Sequence, residues 1–164
     1  MNIILCGIMG VGKTSVGKKL EWLTGKKCVD TDEIIVKKYG KISDIFAEKG
    51  EAYFRDLETE VAKQLADKDG LVVSTGGGFV LREENVNYIK KNGKIFYLRA
   101  ELSTLVERVS GNDSRPLLQG GAEKKLKELL PVRAPIYEKA ADFIIDTDGK
   151  TVAEVANEII ALAR

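Results

Sequence analysis

The sequence predicts an α/β fold of three layers, in which a five-stranded parallel sheet carries helices on both faces. Five short apolar runs divide the chain, and each is too short to form a helix. Runs without polar alternation are typical of parallel strands buried on both faces. The segments between them are long enough for crossover helices. The predicted strands are residues 2–6, 27–29, 71–74, 94–98 and 143–145.

Glycines mark the ends of the first predicted helical segments. A glycine just past a helix favours the left-handed conformation that closes the last turn. Such a stop also separates each segment from the element that follows it. The segments are residues 13–23 before Gly25, residues 32–39 before Gly40, and a turn that Ser43 can cap before Gly50.

The last predicted helix has both a start signal and an apolar stripe. Thr151 and Glu154 have the spacing of a capping box, in which each side chain accepts from the other's backbone N–H. The stripe on one face predicts that this helix packs on the sheet. It consists of Val152, Val155, Ala156, Ile159 and Ile160.

Composition predicts one domain spanning residues 1–164. The chain is 44% apolar and 31% charged, which allows a substantial core, and no repeat or linker divides it. The 26 basic and 25 acidic side chains leave a net charge of +1. No global field therefore draws nucleic acid or a membrane surface to the protein. We expect a monomer that binds small anions through local groups.

The cysteine and histidine content limits the catalytic and metal-binding groups that the protein can use. Cys6 and Cys28 lie in apolar stretches, so we expect reduced core residues rather than a disulfide or metal ligands. The first apolar run is far shorter than a signal segment or the roughly 20 residues of a membrane span. We therefore expect a cytoplasmic protein. Histidine is absent, so acid and base chemistry falls to carboxylates.

Residues 111–121 interrupt the alternation of strands and helices. The segment reads GNDSRPLLQGG, with glycines at both ends and Arg115 near the middle. Loops of this length in compact domains are active-site lids or lack fixed structure, and composition alone does not choose between them. Taken with the motifs below, the segment predicts a mobile lid around residues 111–121.

A phosphate-binding loop follows the first predicted strand. Residues 7–14 read GIMGVGKT and match G-x-x-x-x-G-K-[ST] between a strand and a helix, a context in which an ordinary glycine-rich turn is a poor alternative. Backbone N–H groups and the helix N-terminus hold phosphates, the lysine reaches the β and γ phosphates, and the threonine ligates Mg²⁺. The predicted nucleotide-binding residues here are Gly10, Val11, Gly12, Lys13, Thr14 and Ser15.

Two aspartates follow the second strand, at the sheet edge where ligands bind in open α/β folds. Asp30 is a candidate for holding Mg²⁺ through water, with Thr14 as a ligand. Asp32 is a candidate for orienting or deprotonating an acceptor hydroxyl. The alternative is that Asp32 merely caps a helix beginning at Glu33 while Asp30 is solvated. The adjacent phosphate loop favours the functional interpretation.

Two features downstream are candidates for binding the acceptor. Arg55 and Glu58 lie three residues apart in a helical pattern, so they share a face. They form either a surface ion pair or a guanidinium fork that grips a substrate carboxylate. Residues 76–78 are three glycines after the third strand. They form either a flexible turn or a place where backbone amides approach a ligand closely.

Arg133 and Tyr137 form a further pair with i, i+4 spacing, after the predicted lid. By itself, this pair has no specific functional meaning. Pro131 and Pro135 lie beside it, and we expect them to kink or interrupt the helix because proline lacks the N–H donor.

Taken in order, these motifs resemble those of the shikimate kinases, and the match runs over nearly the whole chain. The phosphate loop is shared by many NTPases, whereas the remaining set is far more specific. The resemblance implies a P-loop NTPase fold of the nucleoside-monophosphate-kinase type. It also implies transfer of the ATP γ-phosphoryl group to the 3-hydroxyl of shikimate, in aromatic amino acid biosynthesis. The matching segments are GIMGVGKT at 7–14, DTD at 30–32, GE..FR..E at 50–58, GGG at 76–78, RPLL at 115–118 and R-x-P-x-Y at 133–137.

The resemblance implies roles for matching residues on the acceptor side. Two guanidinium groups clamp the shikimate carboxylate, while an aspartate and backbone groups contact its hydroxyls. The aspartate is also the candidate base, and a glutamate holds one guanidinium in place. The two guanidinium groups are those of Arg55 and Arg133, and Glu58 is the glutamate that holds Arg55. The aspartate is Asp32, and the backbone groups are those of Gly77 and Gly78.

On the ATP side, the resemblance assigns Lys13 and Arg115 to the migrating phosphoryl group. It assigns Thr14 and Asp30 to Mg²⁺, and Arg108 to a position near the adenine. Such a set suits phosphoryl transfer, which needs positioning and charge neutralisation and no histidine.

Two other functions compete with this interpretation. One is a related small-molecule kinase on the same fold, for instance one acting on gluconate; the pair Arg55 and Arg133 instead favours an anionic acceptor with a ring. The other is a nucleotide-binding regulatory module that has lost phosphoryl transfer. Against it, the full set of transfer groups is present: Lys13, Thr14, Asp30, Asp32 and Arg115.

Overall fold

The structure is a computed structural model, and it describes residues 1–110 and 121–164. Its five strands are β1 (Asn2–Cys6), β2 (Lys27–Asp30), β3 (Leu71–Ser74), β4 (Gly93–Arg99) and β5 (Phe143–Asp146). They form one parallel sheet in the order β2-β3-β1-β4-β5. All five predicted strands are confirmed, and the differences are one residue at some ends.

The central position of β1 explains why residues 3–6 are all apolar, whereas Asn2 at the start of the strand is buried with its side-chain amide hydrogen-bonded. Ile4 pairs with Val73 of β3 on one side and with Ile95 of β4 on the other. All three side chains are almost completely buried. A strand with neighbours on both edges and helices on both faces has no position for a polar side chain in water.

Eight α-helices lie in the described residues, together with a short 3₁₀ turn at Phe79–Leu81. They connect successive strands, and the last one follows β5. They are α1 (Lys13–Thr24), α2 (Thr31–Tyr39), α3 (Ile42–Lys49), α4 (Glu51–Ala66), α5 (Glu83–Lys90), α6 (Leu102–Ser110), α7 (Gly121–Ala140) and α8 (Val152–Ala163).

The helices cover both faces of the sheet, as predicted. On one face, α1 approaches so closely that a Cβ atom at Gly17 would lie 2.9 Å from Cys28 Sγ, and it would also contact Leu5 Cδ1 at 3.8 Å. On the other face, a Cβ atom at Gly93 would lie 2.6 Å from Ile4 Cδ1 and 3.0 Å from the α5 carbonyl of Ile89. Ile4 and Leu5 are adjacent in β1, so their side chains point to opposite faces.

The glycines after the first three helices all have positive φ, but only one is left-handed helical. Gly25 has φ 76° and ψ 0°, as predicted. Gly40 and Gly50 combine φ near 90° with an extended ψ, so the prediction of a left-handed closure is wrong there. The reason is that a new helix begins one or two residues later, so the chain must change direction at the glycine itself.

Two predicted helix starts are also corrected. Asp30, rather than Asp32, caps α2: its Oδ1 atom accepts from the N–H groups of Asp32 at 2.8 Å and Glu33 at 3.2 Å. The helix therefore begins at Thr31. Likewise, α3 begins at Ile42 after Lys41, so Ser43 lies inside the first turn and does not cap it.

The helix α7 is continuous through Pro131 and Pro135, so the predicted interruption is wrong. Each proline removes one N–H donor from the helix. Buried side chains on both sides of the prolines, including Leu126 and Tyr137, attach α7 to the core. Such tertiary packing outweighs the loss of two local hydrogen bonds.

Cys6 and Cys28 are free thiols. Burial raises the pKa of Cys6 to about 12 and that of Cys28 to about 11, so both remain protonated. Cys6 is fully buried, as expected of a core residue, whereas Cys28 is partly exposed. Among the helices in the described part of the chain, none combines the length and apolar character needed to cross a bilayer.

The capping box of α8 gives a testable contribution to stability. Thr151 Oγ1 accepts from the Glu154 N–H at 3.1 Å, and Glu154 Oε1 accepts from the Thr151 N–H at 3.1 Å. We expect Thr151→Ala to lower the free energy of unfolding by about 1 kcal/mol, measured by urea denaturation. Ser43→Ala is the matched control, because Ser43 is exposed and caps nothing. An equal loss in both variants would contradict this assignment.

Candidate active site

A cleft of about 660 Å³ opens at the carboxyl end of the sheet. Parallel strands all end at the same edge, so the segments that follow the neighbouring strands β1, β3 and β2 meet there. The cleft brings together most of the predicted site residues. They are Gly10, Gly12, Lys13, Thr14, Ser15, Asp30, Asp32, Arg55, Glu58, Gly77, Gly78, Arg108 and Arg133.

The loop after β1 wraps around the Lys13 side chain. Lys13 Nζ donates to the carbonyl oxygen of Gly7 and, at 3.3 Å, to that of Ile8. Burial lowers the pKa of Lys13 to about 8, although the nearby carboxylates of Asp32 and Asp30 oppose the shift. The ammonium group is thus held inside the loop, where a bound anion would restore some of the solvation lost on burial.

Two glycines give this loop its path. Gly12 precedes α1 with φ 101°, and Gly10 has φ 86°, a region that side chains with a Cβ atom rarely adopt. A Cβ atom at Gly10 would also lie 2.8 Å from Val109 Cγ2. The conformation leaves the N-terminus of α1 without a side-chain cap. Its backbone N–H groups are therefore suited to binding an anion.

Val11 differs from the other residues of the predicted nucleotide site, because its side chain is buried in the core. Its carbonyl oxygen accepts from Arg108 Nη1 at 3.0 Å, and the same nitrogen lies 3.4 Å from Thr147 Oγ1. These bonds hold Arg108 at the rim of the cleft beside the loop. Arg115 and almost all of the predicted lid, residues 111–121, lie outside the described residues, so both stay predictions.

The two aspartates have different environments. Asp30 Oδ1 caps α2, which leaves the Asp32 carboxylate in the first helical turn facing the glycines after β3. Burial and the charge of Asp30 raise the pKa of Asp32, while Lys13 and Arg55 oppose the shift. The alternative in which Asp32 is only a cap is therefore wrong. A carboxylate with a raised pKa in a cleft is a candidate general base.

Arg55 is held by two carboxylates of its own helix. Its Nη1 atom lies 2.7 Å from Glu58 Oε1, and its Nη2 atom lies 3.2 Å from Glu51 Oε1. The Arg55 side chain is only 15% exposed and Glu58 only 1%. The surface ion pair considered from the sequence is therefore wrong, because this pair is oriented inside the cleft.

The three glycines at 76–78 each lie under one charged side chain. A Cβ atom at Gly76 would lie 2.5 Å from Asp32 Oδ1, and one at Gly77 would lie 3.1 Å from Arg133 Nη1. At Gly78 it would overlap the Arg55 guanidinium. None of the three has positive φ, so backbone freedom does not explain them. A side chain at any of the three positions would displace one of the charged groups that converge on this turn.

Sequence reasoning missed the residues that hold this turn. Thr31 Oγ1 accepts from the Gly76 N–H at 2.9 Å, the Tyr137 hydroxyl donates to the Gly77 carbonyl at 2.6 Å, and Asn85 Nδ2 donates to the Phe79 carbonyl at 2.9 Å. Thr31 and Tyr137 belong to recognised motifs but had no role assigned. No sequence signal identifies Asn85.

The donor set fits a magnesium ion bound together with phosphates. Thr14 and Asp30 line the same cleft. Both cap bonds of Asp30 fall on Oδ1, so no hydrogen bond among the described residues occupies Oδ2. Those residues contain no group of three acidic, cysteine or histidine side chains placed to hold a metal ion by themselves. Mg²⁺ commonly uses one or two carboxylates, waters and substrate phosphates, which such a sparse set allows.

Glu58 makes stability depend on pH. Burial raises its pKa above the ordinary 4.5, although Arg55 opposes the shift, and its Oε2 atom has no partner among the described residues. The stability linked to a raised pKa is fully present below the ordinary value and is lost as pH rises through the folded-state pKa. The difference in unfolding free energy between wild type and Glu58→Gln should therefore fall as pH rises.

Urea denaturation from about pH 4 to about pH 8 measures this difference. Glu51→Gln is the matched control, because it removes the other carboxylate from Arg55 at an exposed position. The difference in unfolding free energy between wild type and Glu51→Gln should change less with pH. A Glu58→Gln difference that stays constant over the range would contradict the effect of burial.

The fold and the cleft together define a P-loop NTPase of the small-molecule kinase class. A glycine loop around a partly buried lysine opens onto a cleft lined by two aspartates and three arginines. A family model described as shikimate kinase matches residues 9–164. The chain therefore belongs to the shikimate kinase family, whose reaction is phosphoryl transfer from ATP to shikimate.

Individual relatives agree with this assignment. A shikimate kinase from Thermodesulfovibrio yellowstonii is 51% identical over 161 residues, which cover 97% of this chain and 92% of that protein. One from Persephonella marina is 46% identical over 164 residues, which cover 99% of each. The structure of shikimate kinase from Acinetobacter baumannii in complex with shikimate matches with a TM-score of 0.87 at 37% identity, over 98% of this chain and 91% of that one.

Proposed function

We propose that this cleft performs the family reaction with Asp32 as the base and with Arg55 and Arg133 as the carboxylate clamp. The supporting observation is the placement of these three side chains over the consecutive glycines 76–78, beside the phosphate loop. An acceptor bound against this turn would contact all three charged groups at once. Its hydroxyl would then lie between Asp32 and the phosphates.

Asp32 accepts the proton of the attacking hydroxyl. Its raised pKa makes the carboxylate a better proton acceptor than an ordinary aspartate. Because Asp30 caps α2, the Asp32 carboxylate need not satisfy the helix end and is available to the substrate.

Arg55 and Arg133 bind the carboxylate of shikimate. A guanidinium can donate two parallel hydrogen bonds to a carboxylate, which fixes orientation as well as supplying charge. Glu58 and Glu51 hold the Arg55 fork from behind, so little side-chain freedom remains to be lost on binding. The backbone of Gly77 and Gly78 supplies further contacts to the hydroxyls.

On the donor side, the backbone from Gly10 to Ser15 binds the ATP phosphates at the positive end of α1. Lys13 and Arg115 neutralise charge on the migrating phosphoryl group, and Arg108 lies near the adenine. Thr14 and Asp30 would hold Mg²⁺, with Asp30 acting through water, and the ion would supply charge neutralisation at the phosphate oxygens.

An assay of ADP release with ATP and Mg²⁺ tests the acceptor. We compare shikimate, gluconate, quinate and no acceptor, and add shikimate methyl ester, which keeps the ring and hydroxyls but lacks the carboxylate charge. Release with shikimate and a much higher KM for the ester support the clamp. Equal KM values for acid and ester contradict the clamp, and release with gluconate or without acceptor contradicts the proposed specificity.

We further propose that the enzyme acts as a monomer in the cytoplasm. All the residues assigned to the reaction belong to one chain, and ATP and reduced thiols are typical of the cytoplasm. Light scattering during size-exclusion chromatography should give a mass near 18.0 kDa. A dimer mass at assay concentrations would contradict the monomer.

A further inference from the structure

The turn after β3 is held from inside the protein by polar side chains of three different helices. Thr31 of α2, Asn85 of α5 and Tyr137 of α7 are each at most 1% exposed. Their bonds to the turn and its continuation are 2.6 to 2.9 Å long. Buried polar groups that all bond to one segment fix its conformation, since breaking any bond leaves a desolvated partner.

Among these bonds, the one from Tyr137 controls a peptide group at the centre of the turn. Its hydroxyl donates to the Gly77 carbonyl, which shares a peptide plane with the Gly78 N–H. The peptide is trans, so the two groups point in opposite directions. Fixing the carbonyl toward α7 therefore fixes the Gly78 N–H away from it. Among the described residues no acceptor bonds to that N–H.

We infer that Tyr137 is a positioning residue for the acceptor, which orients the Gly77–Gly78 peptide so that the Gly78 N–H is presented to the substrate. This inference rests on the proposed function of the cleft and adds a residue that never touches the substrate. Arg133 lies four residues earlier on the same helix and covers Gly77. One face of α7 thus sets both a clamp arginine and the backbone donor beside it.

The surroundings of Tyr137 keep it in this role. Its ring packs on that of Tyr97 in β4, with centroids 5.1 Å apart, which fixes the hydroxyl laterally. Burial raises the pKa of Tyr137 to about 12, so the hydroxyl remains a donor throughout the range in which the enzyme is assayed.

Tyr137→Phe tests the inference, because it removes the hydroxyl and leaves the ring. We expect the KM for shikimate to rise about tenfold, as expected for the loss of a positioned hydrogen bond, while the KM for ATP changes less than about twofold. Tyr97→Phe is the matched control: it removes a hydroxyl from the other ring of the pair, which does not bond to the turn. If Tyr137 had a purely structural role, Tyr137→Phe would lower the stability of the protein without affecting the KM for shikimate more than the KM for ATP.

Equal shikimate KM values in Tyr137→Phe and Tyr97→Phe would overturn the inference. A second measurement uses the wild-type protein and does not depend on folding of the variant. In an ¹⁵N NMR titration, the Gly78 amide should shift on addition of shikimate, and an unmoved Gly78 resonance at saturation would overturn the inference. Absence of wild-type turnover with shikimate would instead be a failure of the proposed function.

Discussion

Replacing Asp32 with asparagine should lower kcat by about 10³-fold and change the affinity for ATP by less than about twofold. The amide has nearly the same shape as the carboxylate but cannot accept the proton of the attacking hydroxyl. ATP binding depends on the phosphate loop, which this substitution leaves intact. Steady-state kinetics with shikimate and a separate ATP titration measure the two effects.

Glu33→Gln is the matched control, because Glu33 is the next residue of α2, is exposed and is not among the residues that line the cleft. It should keep wild-type kcat. The pH profile gives a second check: the base must be deprotonated, so kcat should rise with pH through a pKa above the ordinary 3.8 of aspartate. Wild-type turnover in Asp32→Asn would exclude the proposed base.

The second large effect is expected for Arg133→Lys, which should raise the KM for shikimate about 30-fold. Lysine keeps the positive charge but supplies a point charge in place of a planar fork, so a bidentate bond to the carboxylate is lost. That increase corresponds to about 2 kcal/mol, within the range of a charge-assisted hydrogen bond. The KM for ATP should change little, because Arg133 covers the acceptor side at Gly77.

Arg82→Lys is the control for this substitution. Arg82 pairs with Asp56 at a partly exposed position outside the cleft lining. It should leave both KM values unchanged. If Arg133→Lys and wild type had the same KM for shikimate, Arg133 would have to be removed from the clamp.

Much of the fold could be predicted because the signals are local. Strands such as residues 2–6 and 71–74 are short apolar runs, and the capping box at Thr151 needs only its own helical turn. The errors arose where neighbouring elements changed a local preference. Gly40 and Gly50 precede new helices, and packing of Tyr137 in the core keeps α7 intact past Pro135.

In the functional site, too, the predictions were accurate where the signal is local. The residues predicted to bind phosphate are contiguous, and their spacing alone defines a loop that can hold an anion. Charged pairs within a helix were harder to interpret. The spacing of Arg55 and Glu58 by itself favours a surface ion pair, because whether their helix face is buried depends on packing that no short stretch of sequence contains.

The sequence by itself determined the order of strands and helices, the phosphate loop and the family, since each rests on residues close together or on motifs in a fixed order. Only the tertiary structure decided that Asp32, Arg133 and Arg55 each lie over one glycine of residues 76–78, and that Tyr137 fixes the peptide between two of them. Those contacts join α2, α4 and α7 to the end of β3. Their distances follow from how helices pack on the sheet, which no local pattern of residues specifies.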